Sequence, residues 1–300
     1  MLFRSRRQGG PRPAGAALCR AMLMTDLEFT SSSVGIEGLK KLGEGRQAEV
    51  FVWPRGGVVK LYRSLDDFAS ARAEVAAMRT GQASGIPMPR LLETVSIEQR
   101  PGVVMERLGG SDHLTLFGRK PWTIWPAAKK LAQLHAQLHA VSAPDELRPL
   151  KEELQQRIES SASIPHRQRA LALAKLERLP EGSRICHGDF HPGNLIETAG
   201  GPKVIDWATA ARGDALADVA RTLLILRAGA LPPWTPFLVR KLTAVGRRVL
   251  LWRYLREYRR LHPFEHSELE AWEFVNVAAR LTIGIPEEND YLMELLERES

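Results

Sequence analysis

Apolar side chains recur at every second position through much of residues 31–108, and at helical spacing beyond Gly109-Gly110. Alternation fills one face of a strand, whereas three-and-four spacing makes a stripe along a helix, so the two halves cannot share one uniform layer. In the first half, IEGLKKLGEG reads as a strand, and EVFVW and VVKLYR, joined by PRGG, read as an antiparallel hairpin. LDDFASARAEVAAMRTG interrupts them as a helix, with Asp66 and Asp67 in its first turn and Gly81 just past its end. RLLETVSIE and GVVMERL follow as two more strands, separated by the turn QRPG.

In the second half, WPAAKKLAQLHAQLHAV sets Leu131, Leu134 and Leu138 on one stripe. Only RICHGD, NLIETA and KVIDWA are β-like there, the last two as a hairpin around Gly200-Gly201. The expected architecture is α+β and two-lobed. A flexible tail covers 1–30, a lobe over 31–108 carries a small antiparallel sheet and one helix, and a larger mainly helical lobe fills 109–300. Ligands favour the cleft between two such lobes.

Several function classes recede on composition. Only Cys19 and Cys186 are present, far apart and without ligand spacing, so neither a disulfide framework nor a zinc module is indicated. A reducing, cytoplasmic setting fits. Arg or Pro interrupts every apolar run before the roughly 18 residues of a membrane span. MLFRSRRQGGPRPAGAALCRAMLM begins basic and turns apolar, but Arg20 breaks it; a tail is expected rather than a signal peptide, with translation starting at Met22 or Met24 as an option. The net charge of +7 is spread along the chain without an aromatic-interleaved motif, which argues against nucleic acid as the partner.

The chemistry-bearing residues gather in ICHGDFHPGNLI and KVIDWATA. Three readings compete: a metal cluster of His187, Asp189 and His191, a polar turn without chemistry, and a phosphoryl-transfer loop. The first lacks a second ligand cluster, and the second rests on His, Asp, Gly, Pro and Asn being turn residues. The third needs a carboxylate at the acceptor hydroxyl, an amide oxygen nearby for magnesium, and a second carboxylate bridging metal and phosphates. Asp189, Asn194 and Asp206 supply these, and hard oxygen ligands suit magnesium. Lys60 in VVKLYR is a strand lysine that points either to solvent or to the cleft. Glu74, fourteen residues on, is either a solvated helix residue or its partner. Gly43 and Gly45 in LGEGRQAEVF form a GxG between strands without a third glycine, and the pattern GxxxxGK[ST] is missing.

Together these residues resemble the aminoglycoside phosphotransferase family, the small-molecule branch of the protein-kinase-like fold. The resemblance runs from Gly38 to Arg221, with HGDxHPGN and IDW as its most specific parts. It implies Asp189 as catalytic base, His187 as a brace of the catalytic loop, and Asn194 and Asp206 as magnesium ligands. Lys60, steadied by Glu74, would meet the phosphates of ATP or GTP. Met105 would flank the purine, bonded by the Glu106 carbonyl and the Leu108 amide. Asp218 in GDALADVA would be a buried structural carboxylate, and Asp214 a helix cap. His187-Gly188-Asp189 lacks the arginine of His-Arg-Asp in protein kinases, and Asp206-Trp207-Ala208 replaces Asp-Phe-Gly, so regulation by loop phosphorylation is not expected.

The implied activity is magnesium-dependent transfer of the γ-phosphate of ATP or GTP to a hydroxyl of a small molecule such as an aminoglycoside or related metabolite. The alternative is a non-catalytic kinase-like module binding nucleotide or protein. Partners are then nucleoside triphosphate and a small hydroxylated acceptor, with no nucleic acid and no membrane; the oligomeric state is open. Three features read as ordinary packing: the helical pair His135 and His139, the basic stripe GRRVLLWRYLREYRR, and the acidic end PEENDYLMELLERES.

Overall fold

The computed structural model describes residues 29–64, 67–228 and 237–298. Most of the expected tail, with Cys19, and also Asp66, lies outside the described residues. Strands β1 (Thr30–Ser31), β2 (Lys41–Glu44), β3 (Ala48–Val52), β4 (Val58–Tyr62), β5 (Leu91–Ile97) and β6 (Arg100–Met105) form one sheet in the order β1-β5-β6-β4-β3-β2. Pairing is antiparallel throughout except for β1 along β5.

Alternation decides which side chains reach the cleft. Val59 and Leu61 face a small outer core with Phe51, Trp53, Val95, Ile97 and Val104, closed by Val34, Ile36 and Leu39. Tyr62, two residues from Lys60 and so on the same face of β4, joins Val103 and Met105 against α1 (Phe68–Ala83) in the main core. Two local expectations are corrected. Gly81 lies inside α1, because a Cβ there would come within 2.2 Å of the Met88 Cε, and the helix stops before Gly85, at φ +75°. The β5-β6 turn is Glu98-Gln99, both at positive φ, and not QRPG. Pro101 sits in β6 opposite Ser96, where pairing to β4 has not yet begun, so its missing N–H costs little.

The chain crosses to the second half at Gly109-Gly110. β7 (Ser111–Asp112) pairs with β9 (Leu195–Thr198), itself in a hairpin with β10 (Gly201–Val204), while β8 (Arg184–Cys186) pairs with β11 (Ala211–Gly213). The helices are α2 (His113–Arg119), α3 (Ile124–His139), α4 (Leu150–Ser160), α5 (His166–Arg178), α6 (Ala215–Ala228), α7 (Phe237–Leu261), α8 (His266–Leu281) and α9 (Pro286–Arg298). Asp112 caps α2, its carboxylate accepting the Thr115 N–H at 2.9 Å, and Asp214 accepts the Leu216 N–H at 2.8 Å at the start of α6. Helix α3 packs on α7, and α8 lies against α4, α5 and α6. Trp207, Trp272, Tyr254, Tyr258 and Phe190 fill the interior, and Cys186 is a buried free thiol. The basic stripe is the outer side of α7, where Trp252 stacks on Trp125. Among the described residues no helix is long and apolar enough to cross a membrane.

The two junction glycines are not equivalent. A Cβ on Gly110 (φ +149°) would lie 1.9 Å from the Glu197 carbonyl oxygen, which β9 holds in place, whereas one on Gly109 would meet nothing within 4 Å. Gly110→Ala should therefore lower stability by about 2 kcal/mol or more, while Gly109→Ala stays within about 0.5 kcal/mol, as read from urea midpoints. Equal midpoints for the two variants would contradict this.

Candidate active site

Residues far apart in sequence meet in two connected polar groups. In the first, the Lys60 Nζ donates to Glu74 Oε1 at 3.0 Å and to Asp206 Oδ1 at 2.7 Å. Glu74 is almost fully buried and also accepts the Tyr62 hydroxyl at 2.7 Å and the Trp207 N–H at 3.2 Å. Burial alone would discharge Lys60, but the two carboxylates outweigh it and raise its pKa. Burial likewise pushes Asp206 up, and the Lys60 charge overrides it and holds the carboxyl below its ordinary range. Asp206 has φ +64°, a left-handed conformation that few non-glycine residues adopt. Its side chain is still half exposed.

The second group is the loop after β8. The Asp189 N–H donates to His187 Nδ1 at 3.2 Å, so the proton of that ring sits on Nε2, which donates to the Ile205 carbonyl at 3.0 Å. Burial lowers the His187 pKa and keeps the ring neutral. His187 thereby ties the loop to the residue preceding Asp206, beside the Trp207 ring at 4.7 Å. Asn194 Nδ2 donates to the Asp189 carbonyl at 2.9 Å and to its Oδ2 at 3.1 Å, which leaves the amide oxygen as the free end of the side chain. His191 accepts the Gly193 N–H on Nδ1 and turns Nε2 toward Asp189 Oδ2 at 3.5 Å. Burial raises the Asp189 pKa, and the hydrogen bond to His191 with the nearby Arg221 charge overcomes this, bringing it to about 2.

Beneath the loop lies Asp218. Its carboxylate accepts the backbone N–H groups of His187 and Gly188, the second at 2.9 Å, and faces the Nε2 of His135 at 3.1 Å and of His139 at 3.3 Å. The Nδ1 atoms of the two rings lie 2.7 Å from the Tyr254 and Tyr258 hydroxyls, respectively. Each histidine thus has a partner at both ring nitrogens, and the three residues, which sit close enough to hold a metal, use those atoms on one another. The packed reading of the pair holds. Gly188 has φ +76°, and a Cβ there would lie 2.4 Å from the Thr209 carbonyl, so the loop excludes an arginine at this position. Arg221 on α6 reaches the Gly188 carbonyl with its Nε instead.

The remaining candidates lie apart from these groups. Met105 is buried at the end of β6; the Glu106 N–H bonds the Arg90 carbonyl at 2.8 Å, and its carboxylate grips Lys203 of β10 at 2.9 Å. Leu108 is half buried in the extended segment that follows. Gly43 lies exposed in β2, opposite Val50, and Gly45 in the exposed turn that follows, and neither needs to be glycine for the chain's own packing: a Cβ on Gly43 would meet nothing within 4 Å, and one on Gly45 only the Ala48 carbonyl at 3.8 Å. Sequence reasoning missed Arg221, Lys203 and Tyr62. Tyr62 was legible as the next residue on the Lys60 face, whereas the arginine and the lysine carry no signal until the fold brings them in.

With this geometry in view, the sequence matches the phosphotransferase enzyme family over residues 38–264. The chain belongs to that family. Solved structures extend the fold assignment. A thermostable mutant of the aminoglycoside phosphotransferase APH(4)-Ia, in ternary complex with AMP-PNP and hygromycin B, is 19% identical with a TM-score of 0.61, covering 87% of this chain and 92% of its own. The amicoumacin kinase hAmiN, in complex with AMP-PNP, Ca2+ and Ami, is 15% identical with a TM-score of 0.59, covering 95% and 92%. The GDP and kanamycin complex of an aminoglycoside 2″-phosphotransferase is 16% identical with a TM-score of 0.54, covering 94% and 97%. Among curated proteins nothing matches. The fold of this phosphotransferase is thus α+β and protein-kinase-like, a sheet-based lobe followed by a helical one.

The buried histidines give the family member an acid-sensitive core. Burial and the neighbouring His139 outweigh Asp218 and depress the His135 pKa to about 3, against roughly 6.5 in an unfolded chain. Between those values the unfolded state binds more protons, so the stability is complete above the upper one and falls as pH drops through the window. Urea midpoints should be lower at about pH 5 than at about pH 7, and the drop should shrink in His135→Gln. An unchanged drop in that variant would contradict the assignment.

Proposed function

We propose that the protein is a small-molecule kinase that moves the γ-phosphoryl group of ATP or GTP onto a hydroxyl of a small acceptor such as an aminoglycoside or related metabolite. The observation that carries this reading is the Glu74–Lys60–Asp206 bridge, placed next to a loop that presents Asp189 and Asn194 from one turn. That AMP-PNP, GDP, hygromycin B, kanamycin and amicoumacin occupy proteins of the same fold supports it.

The residues fit a magnesium ion by their donor chemistry. Asp206 is an ionised, half-exposed carboxylate and Asn194 offers an amide oxygen, both hard donors of the kind magnesium takes alongside phosphate oxygens and water. The ion would supply charge neutralisation at the phosphates. Lys60, held cationic by Glu74, would lie against the same oxygens once Asp206 turns to the metal, and Glu74 keeps its ammonium from following. The segment Met105, Glu106 and Leu108 would receive the purine, and the amides from Gly43 at the end of β2 to Gly45 in the turn after it would cover the phosphates.

Asp189 does the remaining work. At a pKa of about 2 it is a carboxylate at neutral pH, and Asn194 fixes its orientation. It accepts the acceptor's hydroxyl proton as the new oxygen–phosphorus bond forms and the bond to the leaving nucleoside diphosphate breaks. Because its basicity is low, alignment matters more than proton abstraction in the ground state. A non-catalytic binding module would be favoured by a missing carboxylate, but Asp189, Asn194 and Asp206 are all in place.

Asp189→Asn keeps the shape and removes the charge. It should bind nucleotide with unchanged affinity and lose about 10²- to 10⁴-fold in kcat, measured as nucleoside diphosphate release with a hydroxylated acceptor. Turnover within about threefold of the unmodified enzyme would overturn the role.

A further inference from the structure

Helix α7 carries apolar side chains on two opposite sides. Leu250, Tyr254 and Tyr258 are buried on its inner side, the tyrosines bonded to His135 and His139 of α3. About half a turn away, Leu242, Val245 and Trp252 recur at three- and seven-residue spacing, so they share one line along the helix. That line is open: Leu242 is 63%, Val245 57% and Trp252 52% exposed. Trp252 stacks on Trp125 of α3 at 6.0 Å, and Trp122, in the turn Pro121–Thr123 just before α3, is exposed as well. Two packed helices thus build one apolar surface rather than scattered single side chains, and such a surface marks an interaction site.

Charge narrows the partner. The sequence has no Asp or Glu between Asp112 and Asp145, a stretch that holds all of α3, and none between Asp218 and Glu257, which takes in α7 as far as Arg256. Lys241 and Arg248 flank the open line and Arg256 continues it, all three exposed. Cations also sit over the rings: Lys241 Nζ is 5.3 Å from the Phe237 centroid, Arg253 lies over Trp125 at 3.9 Å and Arg256 over Trp252 at 5.2 Å. Positive charge beside Trp, Phe and Leu on the outer side of a helix fits the boundary between anionic headgroups and acyl chains, where indole rings settle and basic side chains meet lipid phosphates. A second copy seated face to face would bring these cations together. Single-stranded nucleic acid needs open ring faces, yet Trp125 and Trp252 stack on each other and carry arginines, and Leu242 and Val245 have no ring.

We propose that the outer face of α7, with Trp122 and Trp125, docks the protein on a membrane surface that contains anionic lipid. The contact is peripheral and needs no spanning helix, so it replaces the expectation of no membrane partner that the sequence gave. The outer side of the basic stripe then has a use beyond packing. The face shares no residue with the candidate active site, and its docking stands apart from the kinase reading.

The test is flotation of the full-length protein with vesicles of phosphatidylcholine alone and of phosphatidylcholine mixed with phosphatidylglycerol. Saturable binding to the mixed vesicles is expected, at least about tenfold tighter than to the neutral ones and weaker at high salt. Leu242→Ser should weaken it about tenfold through lost apolar burial, and the double variant Lys241→Gln with Arg248→Gln at least about tenfold through lost charge. All three positions are exposed, so urea midpoints should stay at that of the unmodified protein. Binding to neither kind of vesicle, equal binding to both, or affinity unchanged in both variants would overturn the proposal. If vesicles fail to bind, a dimer in light scattering that Leu242→Ser dissociates assigns the face to a second copy, and retention of a single-stranded oligonucleotide that the double variant loses assigns it to nucleic acid.

Discussion

Asp218 is a fully buried carboxylate, and the position of Asp189 follows from how its charge is offset. Two backbone N–H groups of the loop and two imidazole Nε2 atoms surround it, and its pKa stays well below the ordinary range, although burial pushes the other way. A charge so deep is tolerated only when its oxygens are saturated with donors. The histidines are in turn held by tyrosine hydroxyls from α7, so the helix that packs on α3 also fixes the loop. The loop has little freedom left. Asp189 emerges from it one residue after the second anchored amide.

From there the order propagates across the cleft. His187 links the loop to Ile205, and the strained backbone of Asp206 turns its carboxylate toward Lys60. Lys60 is shared between a buried partner on α1 and an accessible one after β10, so one ammonium connects the sheet lobe to the helical lobe. On the proposed kinase reading, phosphates and metal would use the geometry that this bridge holds. The Glu74 side of it is also pinned by Tyr62 and the Trp207 amide, which makes Asp206 the partner that is free to exchange.

The sequence was most legible where period and chemistry coincide. The alternation of VVKLYR put Lys60 and Tyr62 on one face, and HGDxHPGN with IDW placed the carboxylates and the amide in one site. It was misleading where packing overrode a turn signal, as at Gly81, which serves Met88 and not the helix end, and at QRPG, where Pro101 is tolerated at the margin of a strand. Arg221 and Lys203 were invisible, because a lone basic residue on a helix or strand announces nothing until its neighbours from other elements are known.

Transfer of the γ-phosphoryl group itself is the most direct test. Protein, magnesium and γ-labelled ATP, then GTP, are incubated with a mixture of hydroxylated metabolites of differing charge, and the label is followed by chromatography and phosphorus NMR. The account predicts label in a phosphate monoester of one acceptor class, dependent on the divalent ion. Label confined to nucleotide and inorganic phosphate across the whole mixture would contradict it.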